Sequence, residues 1–161
     1  MIVRDWHDAD LSALHAINEA AVPGVGTLRR EAFDRLVRDA GAATLVSEAD
    51  KDPAGFALVM LEGLDYDSLN YRWLSARYER FAYVDRIAVA EQARGCGIGE
   101  ALYRAAFGRF AGQRPVLLAE VNLAPPNPGS LRFHKRLGFR EVGERWEADR
   151  SKGVVYLERE I

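Results

Sequence analysis

The sequence contains a single cysteine, Cys96, among its 161 residues. One thiol cannot form an intramolecular bridge, so a disulfide-stabilised scaffold is excluded and a reducing, cytoplasmic location is expected. Long apolar runs are also missing, since the longest, Phe56 to Leu61, is far shorter than the ~20 residues that cross a bilayer. The first eight residues lack the apolar stretch of an export signal. We therefore expect neither membrane insertion nor export.

An excess of charge of either sign is also absent. The chain has 22 Lys and Arg residues against 24 Asp and Glu residues, giving a net charge of -2. Binding to a nucleic-acid backbone requires a basic surface, so DNA and RNA are not expected partners. Residues 1–161 suit one domain, and no linker, repeat or low-complexity tract divides them. A single domain without a membrane partner is therefore predicted.

Hydrophobic periodicity predicts a mixed α/β (α+β) fold. Strands are predicted at residues 1–3, 43–47, 54–63, 81–89, 116–121, 139–146 and 154–160. Helices are predicted after the caps Asp8 or Asp10, after Thr27, from 98 to 110, and from Asn127 to Gly138. No secondary structure is assigned to residues 65–78. The predicted order is β-α-α-β-β-β-α-β-α-β-β, with an antiparallel front half.

Three alternating glycines, Gly95, Gly97 and Gly99, lie between a predicted strand and a predicted helix. Exposed backbone amides and the positive end of a helix suit a phosphate or pyrophosphate group, although the same glycines could serve only close helix packing. No Lys-Ser/Thr pair follows, which excludes a Walker A loop. Glu100 stands where a dinucleotide fingerprint needs glycine, so a nicotinamide-dependent oxidoreductase is a distant alternative.

Two motifs carry a family resemblance. The pattern R-x-x-G-x-G, met by Arg94, Gly97 and Gly99, resembles that of the GCN5-related N-acetyltransferase (GNAT) superfamily. The stretch from Asn127 to Phe139 is similar to the family's N-x-x-S-x-x-F-Y-x-x-x-G-F helix. The resemblance covers essentially the whole chain and implies a mostly antiparallel central sheet flanked by helices. It also implies direct acetyl transfer from acetyl-CoA, without a metal, to the amine of a small molecule or peptide.

The resemblance implies a coenzyme site in which backbone amides of Gly95 to Gly99 hold the pyrophosphate. Main-chain groups of the predicted fourth strand bond the pantetheine arm, and the Asn127 helix contributes further contacts. The implied cofactor-binding residues are Ile87, Val89, Arg94, Gly95, Gly97, Ile98, Gly99, Asn127, Ser130 and Phe133. Because family members commonly dimerise, a homodimer is also considered.

Acetyl transfer to an amine needs a base, because a lysine-like amine with a pKa near ~10.4 arrives protonated. Asp85, four residues before Val89, is the first choice, although it could instead pair with a neighbouring arginine. Glu120 is the second choice, although helix N–H groups could simply satisfy its charge. His134 stands where the family has tyrosine, so it either donates the proton to the leaving thiolate or only bonds on the helix face.

Because the family's tyrosine is missing, other groups have to be considered as donors of the proton to the leaving thiolate. A protein without catalytic activity has to be considered as well. The hydroxyls of Tyr83, Tyr71 and Tyr78, or bulk water, are the alternative proton donors. A coenzyme A-binding module without activity is the alternative function. Cys96 at a helix start invites a nucleophile hypothesis, but direct transfer needs no covalent intermediate.

Acceptor contacts are expected in the aromatic stretch before the predicted strand at 81–89, because the resemblance implies that this region walls the acceptor pocket. A surface loop or dimer contact is the alternative. The candidates are Asn70, Tyr71, Trp73, Arg77 and Tyr78. An arginine there hints at a carboxylate-bearing acceptor such as an amino acid, since guanidinium pairs with carboxylate through two hydrogen bonds.

Overall fold

A computed structural model describes all residues, 1–161, and contains seven strands and five helices with several short turns of helix. The strands are β1 (Ile2–Asp5), β2 (Ala43–Ala49), β3 (Asp52–Leu61), β4 (Ala82–Val89), β5 (Val116–Ala124), β6 (Arg140–Trp146) and β7 (Gly153–Glu160). The helices are α1 (Leu11–Ala20), α2 (Arg30–Arg35, continued by a π-helical turn to Ala40), α3 (Leu69–Ser75), α4 (Ile98–Phe110) and α5 (Pro128–Arg136). None of these helices has the length and apolar character needed to cross a membrane.

All seven strands form one sheet in the order β1-β2-β3-β4-β5-β7-β6. Every neighbouring pair is antiparallel except β4 and β5, which are parallel. The predicted fold class, a mostly antiparallel sheet flanked by helices, is confirmed.

Strand β3 is apolar in successive positions, which is typical of a strand that is buried on both faces. Helices accordingly cover both faces of the sheet at this strand. On one face Phe56 meets Phe33 of α2 edge to face, with ring centroids 5.7 Å apart. On the other face Gly55 lies so close to Ile98 that a Cβ atom would approach its side chain to 2.8 Å. The two helical layers therefore bury opposite sides of the same strand.

Two helices, α4 and α5, begin where the local sequence predicts. Helix α4 has the predicted bounds, and Asn127 caps α5 by accepting a hydrogen bond from the Ser130 amide at 3.2 Å, with Pro128 first in the helix. The predicted cap Thr27 is wrong, because its hydroxyl instead donates to Glu19 at 2.6 Å and the helix follows Arg29.

The predicted element order is also wrong at one place, because it omits α3. Ser68 caps this helix by accepting a hydrogen bond from the Tyr71 amide at 3.2 Å. Tyr71 and Leu74, three residues apart, form its buried face. The observed order is therefore β-α-α-β-β-α-β-α-β-α-β-β.

The sheet opens between β4 and β5. These strands pair only at Ala82 with Leu117 and at Tyr83 with Leu118, so the later residues of β4 have no partner on β5. On its other side β4 shifts register against β3, which leaves Asp85 as an unpaired bulge residue. Bulges bend a strand and redirect its side chains. The opening and the bulge together create the cleft that holds the candidate site.

Candidate active site

Three cavities follow the opening between β4 and β5. The loop cavity lies beside the glycine loop, between Val89 and Phe133. The middle cavity, about 140 Å³, lies beside Ile87, Ser130 and His134. The outer cavity, about 490 Å³, extends to the turn between β6 and β7. The middle and outer cavities share five lining residues: Gly24, Val25, Asp85, Arg86 and Glu120.

The loop cavity is lined by backbone with free donors. Gly95 and Gly97 have φ angles of +78° and +80°, a conformation that favours glycine, and a Cβ atom at either would meet nothing within 4 Å. The amides of Gly95, Cys96 and Gly97 donate to no acceptor in the chain. The first-turn amides of α4 add to these donors, since a helix start has no intrahelical acceptors for them. This cradle fits a diphosphate group.

All ten residues implied as cofactor-binding line the loop or middle cavity. Seven border the loop cavity, and Ile87, Asn127 and Ser130 border the middle one. Gly99 permits the close approach of α5, since a Cβ atom there would lie 3.3 Å from the Phe133 ring. Arg136 also lines the loop cavity and was missed, although its spacing one turn after Phe133 could have indicated it.

The Asp85 carboxylate accepts hydrogen bonds from two neighbouring side chains. The side chain of Asp85 is 4% exposed, and its Oδ2 accepts hydrogen bonds from Arg86 Nε at 3.1 Å and from the Tyr66 hydroxyl at 3.2 Å. Arg86 also donates to Asn18 Oδ1 at 2.8 Å and to the Gly26 carbonyl at 3.1 Å. Burial raises the pKa of Asp85 above its usual range, while Arg86 opposes that shift. Asp85 therefore holds Arg86, which in turn bonds the loop between α1 and α2.

Glu120 has an oxygen without a partner. Its Oε1 accepts a hydrogen bond from Asn70 Nδ2 at 3.2 Å, whereas its buried Oε2 and the nearby Tyr83 hydroxyl make no hydrogen bond of acceptable geometry. Burial raises the pKa of Glu120 to about 8, the neighbouring Tyr83 hydroxyl opposes that shift, and the negative charge of Asp85 adds to it. A carboxylate with this pKa, between two cavities, is suited to accept a proton at slightly alkaline pH.

His134 is 4% exposed and uses both ring nitrogens. Nδ1 lies 2.7 Å from the Ser130 carbonyl oxygen, which only accepts, so Nδ1 carries the proton. Nε2 lies 2.6 Å from the Tyr103 hydroxyl, which then donates to it. Burial lowers the pKa of His134, so the ring is neutral and has no free proton. Tyr103 was not identified from the sequence because only the fold brings α4 against α5.

Only Asn70 among the five acceptor candidates lines the outer cavity. The Tyr71 hydroxyl donates to the Leu61 carbonyl at 2.6 Å, and the Tyr78 hydroxyl donates to Glu158 at 3.0 Å. Trp73 stacks on Tyr156, with centroids 4.0 Å apart, and Arg77 covers its other face at 3.6 Å. These four residues hold α3 on the sheet and do not border the cavity.

The remaining walls of the outer cavity come from segments distant in sequence. Residues 22–27 form one wall, and Tyr66 and Ser68 precede α3 on another. Arg145 on β6, with Glu147 and Lys152 in the turn before β7, completes the rim. No local spacing relates these segments, so the sequence alone offered no signal for them.

The sequence profile of the acetyltransferase (GNAT) family matches residues 4–139. A phosphinothricin N-acetyltransferase from Streptomyces coelicolor is 38% identical over 79 residues, which are 47% of this chain and 46% of that relative. The match thus spans about half the length of that relative.

Solved structures share the fold. Ard1 from Thermoplasma volcanium superposes with a TM-score of 0.79 at 18% identity, over 99% of this chain and 97% of that one. A ribosomal-protein-alanine N-acetyltransferase from Brucella melitensis gives 0.74 at 23% identity over the whole of both chains.

Proposed function

Because the chain belongs to the acetyltransferase (GNAT) family, we propose that it transfers the acetyl group of acetyl-CoA directly to the amine of a small molecule or peptide. The observation that carries this proposal is the Glu120 carboxylate, which lines both the middle and the outer cavity without a cationic partner. The names of the relatives, which include N-acetyltransferases of phosphinothricin and of a ribosomal protein, support an amine as the acceptor.

The loop and middle cavities are the proposed site for acetyl-CoA. The free amides of Gly95, Cys96 and Gly97 match the acceptor oxygens of its diphosphate. Ile87 and Val89 lie on the part of β4 that has no partner strand on the β5 side, where an extended arm can bond as an added strand. These contacts need no cationic side chain, which agrees with the near-neutral charge of the chain.

Glu120 is the proposed base, in preference to Asp85. Its carboxylate lines both cavities and forms no ion pair, whereas Arg86 and Tyr66 occupy Asp85. The neutral amine then attacks the thioester carbonyl, the carbon–nitrogen bond forms, and the carbon–sulfur bond breaks. The nitrogen gives up its second proton to water, and the coenzyme leaves as a thiolate. A pKa of about 8 lets Glu120 both hold and release that proton near physiological pH.

His134 is not the proposed acid, because its single ring proton is already donated to the Ser130 carbonyl. A second proton on the ring would place a positive charge in a buried site, and burial disfavours that charge and lowers the pKa of His134. We assign His134 to packing α5 on α4 through Tyr103. The leaving thiolate then takes its proton from water, one of the sources considered from the sequence.

The proposal is tested by two measurements on the purified chain. We expect acetyl-CoA to raise the melting temperature, and a panel of primary amines to yield coenzyme A and acetylated amine in equal amounts. Glu120→Gln should keep the thermal shift and lose about 10²–10⁴-fold in kcat, the usual contribution of a general base. Glu31→Gln, an exposed glutamate away from the cavities, should behave as wild type.

Two outcomes contradict the proposal. No thermal shift at saturating acetyl-CoA rules out the donor site. A thermal shift without any acetylated product points to the inactive coenzyme-binding module instead. A no-acceptor control is needed when released thiol is trapped, because the exposed Cys96 reacts with the same reagent.

A further inference from the structure

Arg145 lines the outer cavity with its guanidinium bound only to neutral groups. Its Nε donates to the Tyr156 hydroxyl at 3.1 Å, and its Nη2 donates to Asn70 Oδ1 at 3.2 Å. No carboxylate lies within 4.0 Å of it, so it forms no ion pair. A half-buried positive charge thus faces the cavity without a negative partner.

The other four arginines that are at least partly buried each have a partner for their positive charge. Arg4, Arg86 and Arg114 each pair with a carboxylate, at 2.7, 3.1 and 2.9 Å. Arg159 lies 3.7 Å from the centre of the Phe107 ring, in cation–π contact. Arg145 alone among these five has neither a carboxylate nor an aromatic face in contact, which leaves its charge available to a ligand.

The charges around the outer cavity favour an anion. Asp85 and Arg86 neutralise each other, and the negative charge of an ionised Glu120 is offset by the ammonium group of the bound acceptor. At the rim, Lys152 and Glu147 are both exposed and form no ion pair. Because these two also balance, Arg145 supplies the net positive charge of the cavity.

Asn70 fixes the geometry between Arg145 and the proposed base. Its Oδ1 accepts hydrogen bonds from Arg145 and from the Tyr156 hydroxyl, the latter at 2.9 Å, so its Nδ2 is turned towards Glu120. One amide side chain therefore separates the guanidinium from the carboxylate. An acceptor whose amine lies at Glu120 has its neighbouring substituent within reach of Arg145.

We propose that Arg145 binds the carboxylate of a free amino acid whose amino group is the acetyl acceptor at Glu120. The inference rests on the proposed function and assigns its acceptor class. Guanidinium matches carboxylate in charge and shape, and one Nη nitrogen of Arg145 remains unused within the chain. A peptide amino terminus carries a neutral amide in place of that carboxylate, so it leaves Arg145 unpaired.

The test compares acceptors that differ only in this charge. Initial rates at saturating acetyl-CoA are measured for a panel of L-amino acids, their α-amides and short peptides with the same first residue. For each pair the ratio of kcat/KM, acid over amide, is determined in wild type, Arg145→Gln, Arg145→Lys and Arg35→Gln. Arg35 is exposed, forms no ion pair and lies outside the cavity, so it is the matched control.

We expect the ratio to fall about tenfold or more in Arg145→Gln, the usual effect of losing a hydrogen bond to a charged group, and less in Arg145→Lys. Arg35→Gln should keep the wild-type ratio. Comparing ratios cancels any loss that Arg145→Gln causes through Asn70 and Glu120, because that loss affects acid and amide alike. It also cancels the difference in amine pKa between the two acceptors.

Three results overturn the inference. An unchanged ratio in Arg145→Gln removes the role of Arg145, and faster acetylation of peptides or amides than of amino acids by wild type assigns another acceptor class. In both cases acetyl transfer itself stands. If acetyl-CoA binds but no amine of any class is acetylated, the proposed function fails and the acceptor assignment fails with it.

Discussion

Glu120→Gln should stabilise the folded chain at alkaline pH while it removes activity. The substitution keeps the shape of the side chain and its hydrogen bond from Asn70, but it removes a carboxylate whose ionisation is opposed by burial. Because the folded pKa lies above the ordinary value, the stability that the protonated acid contributes is complete below about pH 4.5. That contribution is lost as the pH rises through about 8.

The magnitude follows from the two pKa values. The difference between 4.5 and about 8 corresponds to about 5 kcal/mol over the whole titration, at ~1.4 kcal/mol for each pH unit. Between pH 5 and pH 8.5 the free energy of unfolding of wild type should therefore fall by about 3–4 kcal/mol more than that of Glu120→Gln. Other titrating groups contribute to both chains and largely cancel in the difference.

Urea unfolding of both chains at pH 5 and pH 8.5, followed by tryptophan fluorescence, measures this difference. The accompanying acetyl-transfer rates show whether the same carboxylate is needed for catalysis. An equal pH dependence of stability in the two chains refutes the buried, high-pKa carboxylate. A stabilised variant with full activity would leave the electrostatics intact and refute Glu120 as the base.

Three further predictions concern residues around the site. Arg86→Gln should cost about 3–5 kcal/mol in urea unfolding, because it leaves the Asp85 carboxylate buried without its cation, and Asp85→Asn in the same chain should restore part of the loss. Gly97→Ala should cost about 1–2 kcal/mol through its φ of +80° and weaken acetyl-CoA binding in calorimetry, whereas Gly108→Ala in open space on α4 should do neither. Trp73→Ala should lose roughly 3 kcal/mol of stability with an unchanged acceptor KM, whereas a raised KM would return Trp73 to the acceptor site.

The sequence predicted those parts of the fold and site that local signals determine. Helix α4 is signalled by the alternating glycines before it and by its own apolar period, and helix α5 by its Asn127-Pro128 start. Each of these signals acts through residues only a few positions apart in the sequence. For that reason all ten implied cofactor-binding residues line the loop or the middle cavity, and their contact with the coenzyme stays a prediction. The family resemblance drawn from the same two motifs is also confirmed.

Long-range packing decided what the sequence could not predict. Asp85 ranks above Glu120 from its position four residues before Val89, and the alternative pairing with a neighbouring arginine is the one that the structure shows. The bulge at Asp85 and the cavities beside Glu120 depend on strand pairing, which the sequence does not reveal. The aromatic residues of α3 resembled a binding surface, yet Trp73 is held by Tyr156 from a strand far along the chain. Arg145 went unnoticed because its position at the cavity depends on the pairing of β6 with β7.

The pH dependence of kcat/KM tests the central claim, that Glu120 takes the proton from the acceptor, most directly. It is measured at saturating acetyl-CoA for two acceptors whose amine pKa values differ by about two units, so that an inflection shared by both belongs to the enzyme. We predict a shared inflection near pH 8 in wild type, with activity rising towards alkaline pH, and its absence in Glu120→Gln. Inflections that only follow the amine, or a shared one that survives in Glu120→Gln, would contradict the claim.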